Sequence, residues 1–387
     1  MDCLAGFTST GSKRREALFG EVAGDPPLRM SRSAGCRVWD DRGREYVDYI
    51  MALGAVALGY GHHAVSAAAH EAIDRGVVGP LAPELEELVA GDLCRLIPWV
   101  ERVRFVKTGA EAAAAAVRLA RLATGRSAVL GCGYHGWLDW CQTGEARGTP
   151  DAVRALYAEL PFNDAERARE LIRARADRLA AVIVEPFVLE PPRPEWIAVL
   201  QEETRRAGAV LIVDEIKTVC RLAIGGGCER YGIQPDLVVM GKAIANGFPL
   251  AAVGGRADLM DGVRRTWISS TLATEMVALA AARATLEVMV SADVPAYLER
   301  AGARLLAGLV ALAERHPGVV VAARGIGPMC LLECRTDPLS ARLALACAER
   351  GLLFKRSPYN LVSLAHDEGT VDRTLEHLDD VLRTLAP

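Results

Sequence analysis

The sequence predicts an α/β protein with a large domain on a mostly parallel central sheet and a smaller α+β domain. Three observations carry this. Short apolar runs at Val103 to Lys107, Ala181 to Val184 and Ala209 to Val213 recur with amphipathic helical stretches between them, such as Asp164 to Arg178 and Trp196 to Arg206, which is the alternation of βαβ units. Each run ends on polar residues, and ligands of parallel sheets sit at the carboxyl ends of strands. At 387 residues the chain exceeds one small core and suits one large domain plus a smaller one.

Taken in order, Arg37 to Tyr49 reads as a hairpin turning at Asp41-Arg-Gly43, where the glycine supplies the positive φ of a tight turn. From Val65 to Leu96 the pattern is helical, interrupted at Gly76, Gly79 and Pro80. A strand from Ser127 to Leu130 precedes Gly131, and the alanine run Ala112 to Ala116 is a strong helix former. The stretch from Ser291 onward reads as a long helix, a short strand pair around Gly325 to Cys334, and two closing helices. Residues 1–50 are expected to contribute to the small domain, residues 51–285 to form the large one and residues 286–387 to complete the small one.

Composition narrows the function classes. With 51% hydrophobic and 24% charged residues the chain reads as a soluble globular enzyme, and its expected partner is a small-molecule substrate. A net charge of -4 with no basic tract gives no basis for a nucleic-acid partner. Met1 to Ser12 lacks a basic n-region and a long apolar core, so no signal peptide is expected. No stretch reaches the ~18 uncharged apolar residues of a membrane span. The ten cysteines contain no CxxC pair, and only Cys330 and Cys334 approach metal spacing. They are read as reduced thiols of a cytoplasmic protein, with no metal expected.

Lys242 follows the apolar run Leu237 to Met240 and precedes Ala-Ile-Ala-Asn-Gly. A lysine at the carboxyl end of a buried strand is desolvated, which lowers its pKa and makes it a nucleophile able to form a Schiff base with an aldehyde. The other lysines are only Lys13, Lys107, Lys217 and Lys355, so surface charge does not explain this one. The turn Thr108-Gly109-Ala110-Glu111 leads from a strand into the alanine-rich helix. Its amides could hold a phosphate, and Thr108 could equally be an ordinary N-cap. Tyr134 lies between glycines in Gly133-Tyr134-His135-Gly136, which suits stacking on a flat ring or packing in a core. Asp214 directly follows four apolar residues. Buried there, it needs a cationic or hydrogen-bonding partner such as a protonated ring nitrogen, although a cap on the segment at Thr218 is an alternative. Together, a phosphate cradle, an aromatic stacker, a carboxylate and a Schiff-base lysine are what pyridoxal 5'-phosphate requires.

With Val213-Asp214-Glu215 and Gly241-Lys242-Ala-Ile-Ala-Asn246-Gly247 at this spacing, the sequence resembles the class III aminotransferases of pyridoxal-phosphate fold type I, in particular the glutamate-1-semialdehyde aminomutase-like members. The resemblance runs from about Arg37 to Arg373. It implies that Lys242 is the Schiff-base lysine and Asp214 the partner of the pyridine nitrogen. It further implies that Thr108, Gly109 and Ala110 hold the phosphate, that Tyr134 stacks on the ring, and that His135 and Glu185 are among the cofactor-binding residues; Glu215 and His135, next to residues already named, are read as supporting rather than chemical. Ser270 and Thr271 resemble the segment that reaches the neighbouring subunit's cofactor, which implies an obligate homodimer. The structural alternative for these hydroxyls is a cap on a helix starting near Thr274. Arg29, Lys355 and Arg356 fall in segments that flank the site in relatives, and Arg356 could grip a substrate carboxylate bidentately.

The chain departs from the family at three places. Ala110 stands where a hydroxyl residue is usual, Phe187-Val-Leu-Glu190 replaces a glycine and an asparagine, and Ala273-Thr274-Glu275 replaces Gly-Asn-Pro. These departures lie on the substrate side, and the Tyr-His-Gly-Trp form looks like relatives in polysaccharide and secondary-metabolite pathways. The expected activity is amino transfer between an amino acid and a carbonyl compound, with racemisation or epimerisation on the same scaffold as the alternative. A nucleotide-binding protein is the contrasting class, but no G-x-x-x-x-G-K-[ST] element precedes a helix, and Gly225 to Gly227 lacks a strand-turn-helix context.

Overall fold

A computed structural model describes residues 3–143 and 148–385. The chain forms two compact units. One combines the segment up to His62 with the segment from Ala296 onward, and the other is His63–Pro295.

The middle unit is built on seven strands: β1 (Arg102–Val106), β2 (Ala128–Cys132), β3 (Tyr157–Glu159), β4 (Leu179–Val184), β5 (Val210–Asp214), β6 (Leu237–Met240) and β7 (Ala251–Gly255). Their order across the sheet is β1-β7-β6-β5-β4-β2-β3. Neighbours from β6 through β5, β4 and β2 to β3 are parallel, and β7 runs antiparallel to both β6 and β1. Every residue of β2, β4, β5, β6 and β7 is buried. Strands covered on both faces read as continuous apolar runs rather than alternating ones, which is why β2, β4, β5 and β6 were visible in the sequence, whereas β7, built of two alanines, a valine and two glycines, was not among the predicted strands. Helix Gly109–Thr124 follows β1, and its alanines share one core with Val129, Ile183, Ile212, Val239 and Val253. Small side chains let this helix approach the sheet closely.

Element boundaries moved where tertiary demands intervened. The helix expected over Asp164 to Arg178 spans Ala165–Arg173, with Asp164 accepting from the Arg167 amide at 2.9 Å as N-cap. Residues 174–178 form the turn that delivers the chain to β4 at Leu179. Strand β5 begins one residue later than expected and includes Asp214 as its last residue.

In the other unit, strands Arg37–Asp40 and Glu45–Asp48 pair antiparallel as the expected hairpin. The Asp40 carboxylate accepts from the Arg42 and Arg44 amides, and Gly43 takes φ 79°. Leu352–Leu353 adds to this hairpin in parallel, and Asn360–Leu361 adds to the pair Val320–Ile326 and Met329–Cys334. Two-residue strands carry no periodicity, so neither addition was predictable. Among the described residues no helix is long and apolar enough to cross a membrane.

Candidate active site

Strands β4, β5 and β6 are adjacent and parallel, so the residues at their carboxyl ends gather on one edge of the sheet. Glu185, Asp214 and Lys242 are those residues. The register places Val184 beside Val213 and Asp214 beside Val239.

Asp214 is buried. Its Oδ1 accepts from the Ile216 amide at 3.1 Å, and its Oδ2 lies 2.7 Å from Nδ1 of the buried His135. A carboxylate oxygen accepts, so the proton of this bond sits on Nδ1. Nε2 has no hydrogen-bond partner among the described residues. The imidazole is stacked near the Trp140 ring at 6.3 Å. Asp214 does not cap the segment at Thr218. Glu215 does so instead, accepting from the Thr218 hydroxyl and from the amides of Gly227 and Cys228 at 2.8 and 2.7 Å. A Cβ at Gly226 would stand 2.0 Å from Glu215 Oε2. The glycine run Gly225 to Gly227 therefore wraps a buried carboxylate and has no role as a nucleotide loop.

Lys242 follows β6 with a left-handed φ of 48°, a conformation that a side-chain-bearing residue keeps only where its surroundings impose it. The residue is half-buried. Desolvation of its ammonium lowers its pKa from 10.5 to about 8, and the Lys217 ammonium acts in the same direction. Glu185 and Asp214 pull the other way, and Arg221 adds a further lowering. A larger fraction of this amine is therefore unprotonated near neutral pH than for an ordinary lysine.

At the start of helix Gly109–Thr124, Thr108 is a true N-cap. Its hydroxyl accepts from the Glu111 amide at 3.2 Å, and the Glu111 carboxylate accepts from the Thr108 amide at 2.8 Å. This capping box leaves the amides of Gly109 and Ala110 without a partner among the described residues, so capping and anion binding are compatible here. Contacts tie this turn to the strand ends. A Cβ on Gly109 would lie 2.9 Å from Ile216 Cδ1, and one on Gly241 would lie 2.8 Å from the same atom. A Cβ on Gly136 would lie 2.6 Å from Ala110 Cβ. Tyr134, between Gly133 and Gly136 at positive φ, is 71% exposed, so its ring face is open to a ligand and is not part of a core.

The remaining predicted residues fall as follows. Glu185 is buried and pairs with Lys217 at 2.8 Å, and desolvation raises its pKa. Ser270 and the exposed Thr271 lie in the turn closed by the Ala273 amide on the Ser270 carbonyl at 3.1 Å. They do not cap the next helix. Helix Met276–Ser291 is capped by Glu275, which also binds Lys107 at 2.7 Å. Arg29 and Arg356 belong to the other unit, where the Arg29 guanidinium lies 4.0 Å from the Phe7 ring and Arg356 pairs with Asp337. Sequence reasoning did not assign Ile216, Lys217 or the Lys107–Glu275 pair. The scarcity of lysines was the one signal that could have drawn attention to Lys217 and Lys107.

Two free amides at the start of a sixteen-residue helix, an uncovered aromatic face, a buried carboxylate and a desolvated amine converge in one unit. These groups fit a phosphorylated pyridine aldehyde, with the amides for its phosphate and the carboxylate for its ring nitrogen. Among curated proteins, a glutamate-1-semialdehyde 2,1-aminomutase of Thermomicrobium roseum is 35% identical over 94% of this chain and 93% of its own length. Among solved structures, a pyridoxal-phosphate form of the FumI protein of Sphingopyxis sp. MTA144 superposes with a TM-score of 0.91 at 28% identity, covering 97% of this chain and 92% of that one. An omega-transaminase from Sphaerobacter thermophilus does so with a TM-score of 0.87 at 27% identity, covering 94% and 92%. Residues 20–382 match the family pattern described as Aminotransferase class-III, and with its sheet order and strand-end residues the chain belongs to that family.

Proposed function

We propose that this protein is a pyridoxal-phosphate-dependent enzyme that transfers an amino group between an amino acid donor and a small carbonyl compound. The observation that carries the reading is the placement of Lys242, left-handed and desolvated at the end of β6, beside Asp214 at the end of the adjacent β5. When bound, pyridoxal phosphate supplies an aldehyde for amine exchange and an electron-withdrawing ring. Lys242 Nζ is the amine that would hold the cofactor's aldehyde, and the same amine would be the group to accept and return a proton at the substrate carbon. Asp214 would face the ring nitrogen and favour its protonated form, and His135 orients that carboxylate through Nδ1. The Gly109 and Ala110 amides would hold the phosphate, and Tyr134 would cover a ring face. Ile216 packs against both Gly109 and Gly241 and so joins the phosphate turn to the strand end before Lys242.

We assign Ser270 and Thr271 to the partner subunit's phosphate in a homodimer, and Arg29 and Arg356 to a substrate carboxylate. The Tyr134-His-Gly-Trp137 form and the Phe187 to Glu190 run favour an acceptor of a polysaccharide or secondary-metabolite pathway. The test is the visible spectrum of the purified protein, followed by borohydride reduction and peptide mapping. Label on Lys242 is the expected result, and label on another lysine overturns the assignment. Incubation with amino acids separates the alternative activity, because amino transfer consumes the yellow form whereas racemisation leaves it in place.

A further inference from the structure

We infer that the unit combining the segments up to His62 and from Ala296 onward carries a binding site for the phosphate group of a small molecule, in a cavity walled by arginines. The cavity measures about 230 Å³ and is lined by Arg37, Glu45, Arg350, Thr370, Arg373 and His377, all of them in that unit. It is smaller than the ~300 Å³ at which pockets for drug-sized molecules begin, so its ligand is small. Three elements build it. Helix Glu368–Leu385 contributes Thr370, Arg373 and His377, whose spacings of three and four residues place them on one helix face. Arg350 is the C-cap of helix Asp337–Glu349, and Gly351 at φ 75° turns the chain into the strand Leu352–Leu353. The Val47 amide donates to the Gly351 carbonyl at 2.8 Å and Val47 is the hairpin partner of Arg37, which brings Arg37 and Arg350 to the same cavity.

Charge and hydrogen bonding decide what the cavity takes. Three guanidiniums line it with one carboxylate, Glu45, and that carboxylate is paired with Arg37. Arg350 donates to the Ala346 carbonyl at 3.3 Å and Arg373 to the Thr370 hydroxyl at 3.2 Å, and among the described residues neither has a carboxylate within ion-pair distance. The nearby acids on helix Glu368–Leu385 and just before it are occupied: Asp367 accepts from the Thr370 amide at 2.7 Å, and Asp372 accepts from Arg304 at 2.7 Å. A guanidinium carries five N–H donors in a planar fork. Arg350 and Arg373 each spend one on a neutral acceptor and keep the others, in the geometry that grips phosphate oxygens two at a time. The helix face that carries Arg373 is fixed to the core, because the buried Thr374 hydroxyl donates to the Thr370 carbonyl at 2.9 Å and accepts from the Tyr49 hydroxyl at 3.1 Å. Two unneutralised cations in one cavity repel each other, and a doubly charged phosphate matches them in charge.

The test uses the full chain saturated with pyridoxal phosphate, so that the cofactor's own phosphate seat is filled. Isothermal titration calorimetry in a phosphate-free buffer of low ionic strength measures binding of inorganic phosphate and of glycerol 3-phosphate, while absorbance follows the bound cofactor. Saturable binding with an unchanged cofactor spectrum is expected. R350Q/R373Q should weaken it at least about tenfold, because both unneutralised guanidiniums are gone. E45Q should tighten it by about two- to fivefold, because the one carboxylate lining the cavity loses its charge. Tighter binding of glycerol 3-phosphate assigns the ligand as a phosphate monoester, and inorganic phosphate bound equally or more tightly assigns it as the free ion. No saturable binding, wild-type affinity in R350Q/R373Q, or binding that releases the cofactor overturns the inference. If R350Q/R373Q does not fold, an E45Q affinity no higher than that of wild type overturns it.

Discussion

Asp214 Oδ2 and His135 Nδ1 lie 2.7 Å apart with side chains 2% and 1% exposed, so the carboxylate at the end of β5 is oriented by a residue from the loop after β2. Replacing His135 by alanine leaves Asp214 with only the Ile216 amide among these partners. We expect H135A to cost on the order of 1–3 kcal/mol of stability, the range for a buried acceptor losing its donor. Amino-transfer turnover should fall at least about tenfold, a change worth about 1.4 kcal/mol in the barrier. H135N, which retains a donor, should keep most of both. Denaturant unfolding and steady-state kinetics decide the matter, and an H135A enzyme with wild-type turnover removes the orienting role.

Ala110 stands at the second position of helix Gly109–Thr124 with its amide free. A110S adds a hydroxyl beside the two free amides and should tighten pyridoxal-phosphate binding by about 0.5–1.5 kcal/mol, roughly two- to tenfold. Cofactor titration of the apo-protein by absorbance checks this. Unchanged affinity would place the phosphate elsewhere.

Gly109 is required for close approach, since an added Cβ meets Ile216 Cδ1 at 2.9 Å. G109V should displace Ile216 and weaken cofactor binding by about tenfold or more, equivalent to about 1.4 kcal/mol. Adding I216A should restore part of that loss, because the two sites share one contact and so do not add. Equilibrium binding of the two variants shows whether they are coupled.

Lys107 and Glu275 are paired at 2.7 Å with side chains 15% and 11% exposed, and the same carboxylate caps helix Met276–Ser291. K107M strands a largely buried carboxylate and should cost on the order of 1–3 kcal/mol. K107M/E275Q should recover part of this, since the remaining amide still accepts from the helix and carries no charge. Urea midpoints of the single and double variants test it.

Lys242 titrates at about 8 against an ordinary 10.5. Between those values the unfolded chain binds more protons than the folded one, so the amine makes stability rise with pH through that window. Below it, the folded state bears the full cost of a desolvated amine. K242M should therefore be more stable than the wild-type apo-protein by about 1–3 kcal/mol near pH 7. The difference should fade as pH rises toward 10.5. Thermal unfolding across that range is the measurement, and a pH-independent difference would mean that the amine is not desolvated.

The sequence by itself determined the strand-helix alternation, because strands buried on both faces must be apolar throughout and the helices between them must be amphipathic. It also determined the chemistry at single positions. Asp214 and Lys242 each terminate an apolar run, and Thr108 to Glu111 is a capping box whose partners are three residues apart. Such features depend only on neighbours along the chain. Tertiary structure decided the pairings: His135 with Asp214 across 79 residues, Lys107 with Glu275 across 168, Lys217 with Glu185, and Gly226 and Gly227 around Glu215. Which loop ends meet depends on the strand order β6-β5-β4-β2, and that order is fixed by packing of the whole sheet, on which local residue spacing has no hold.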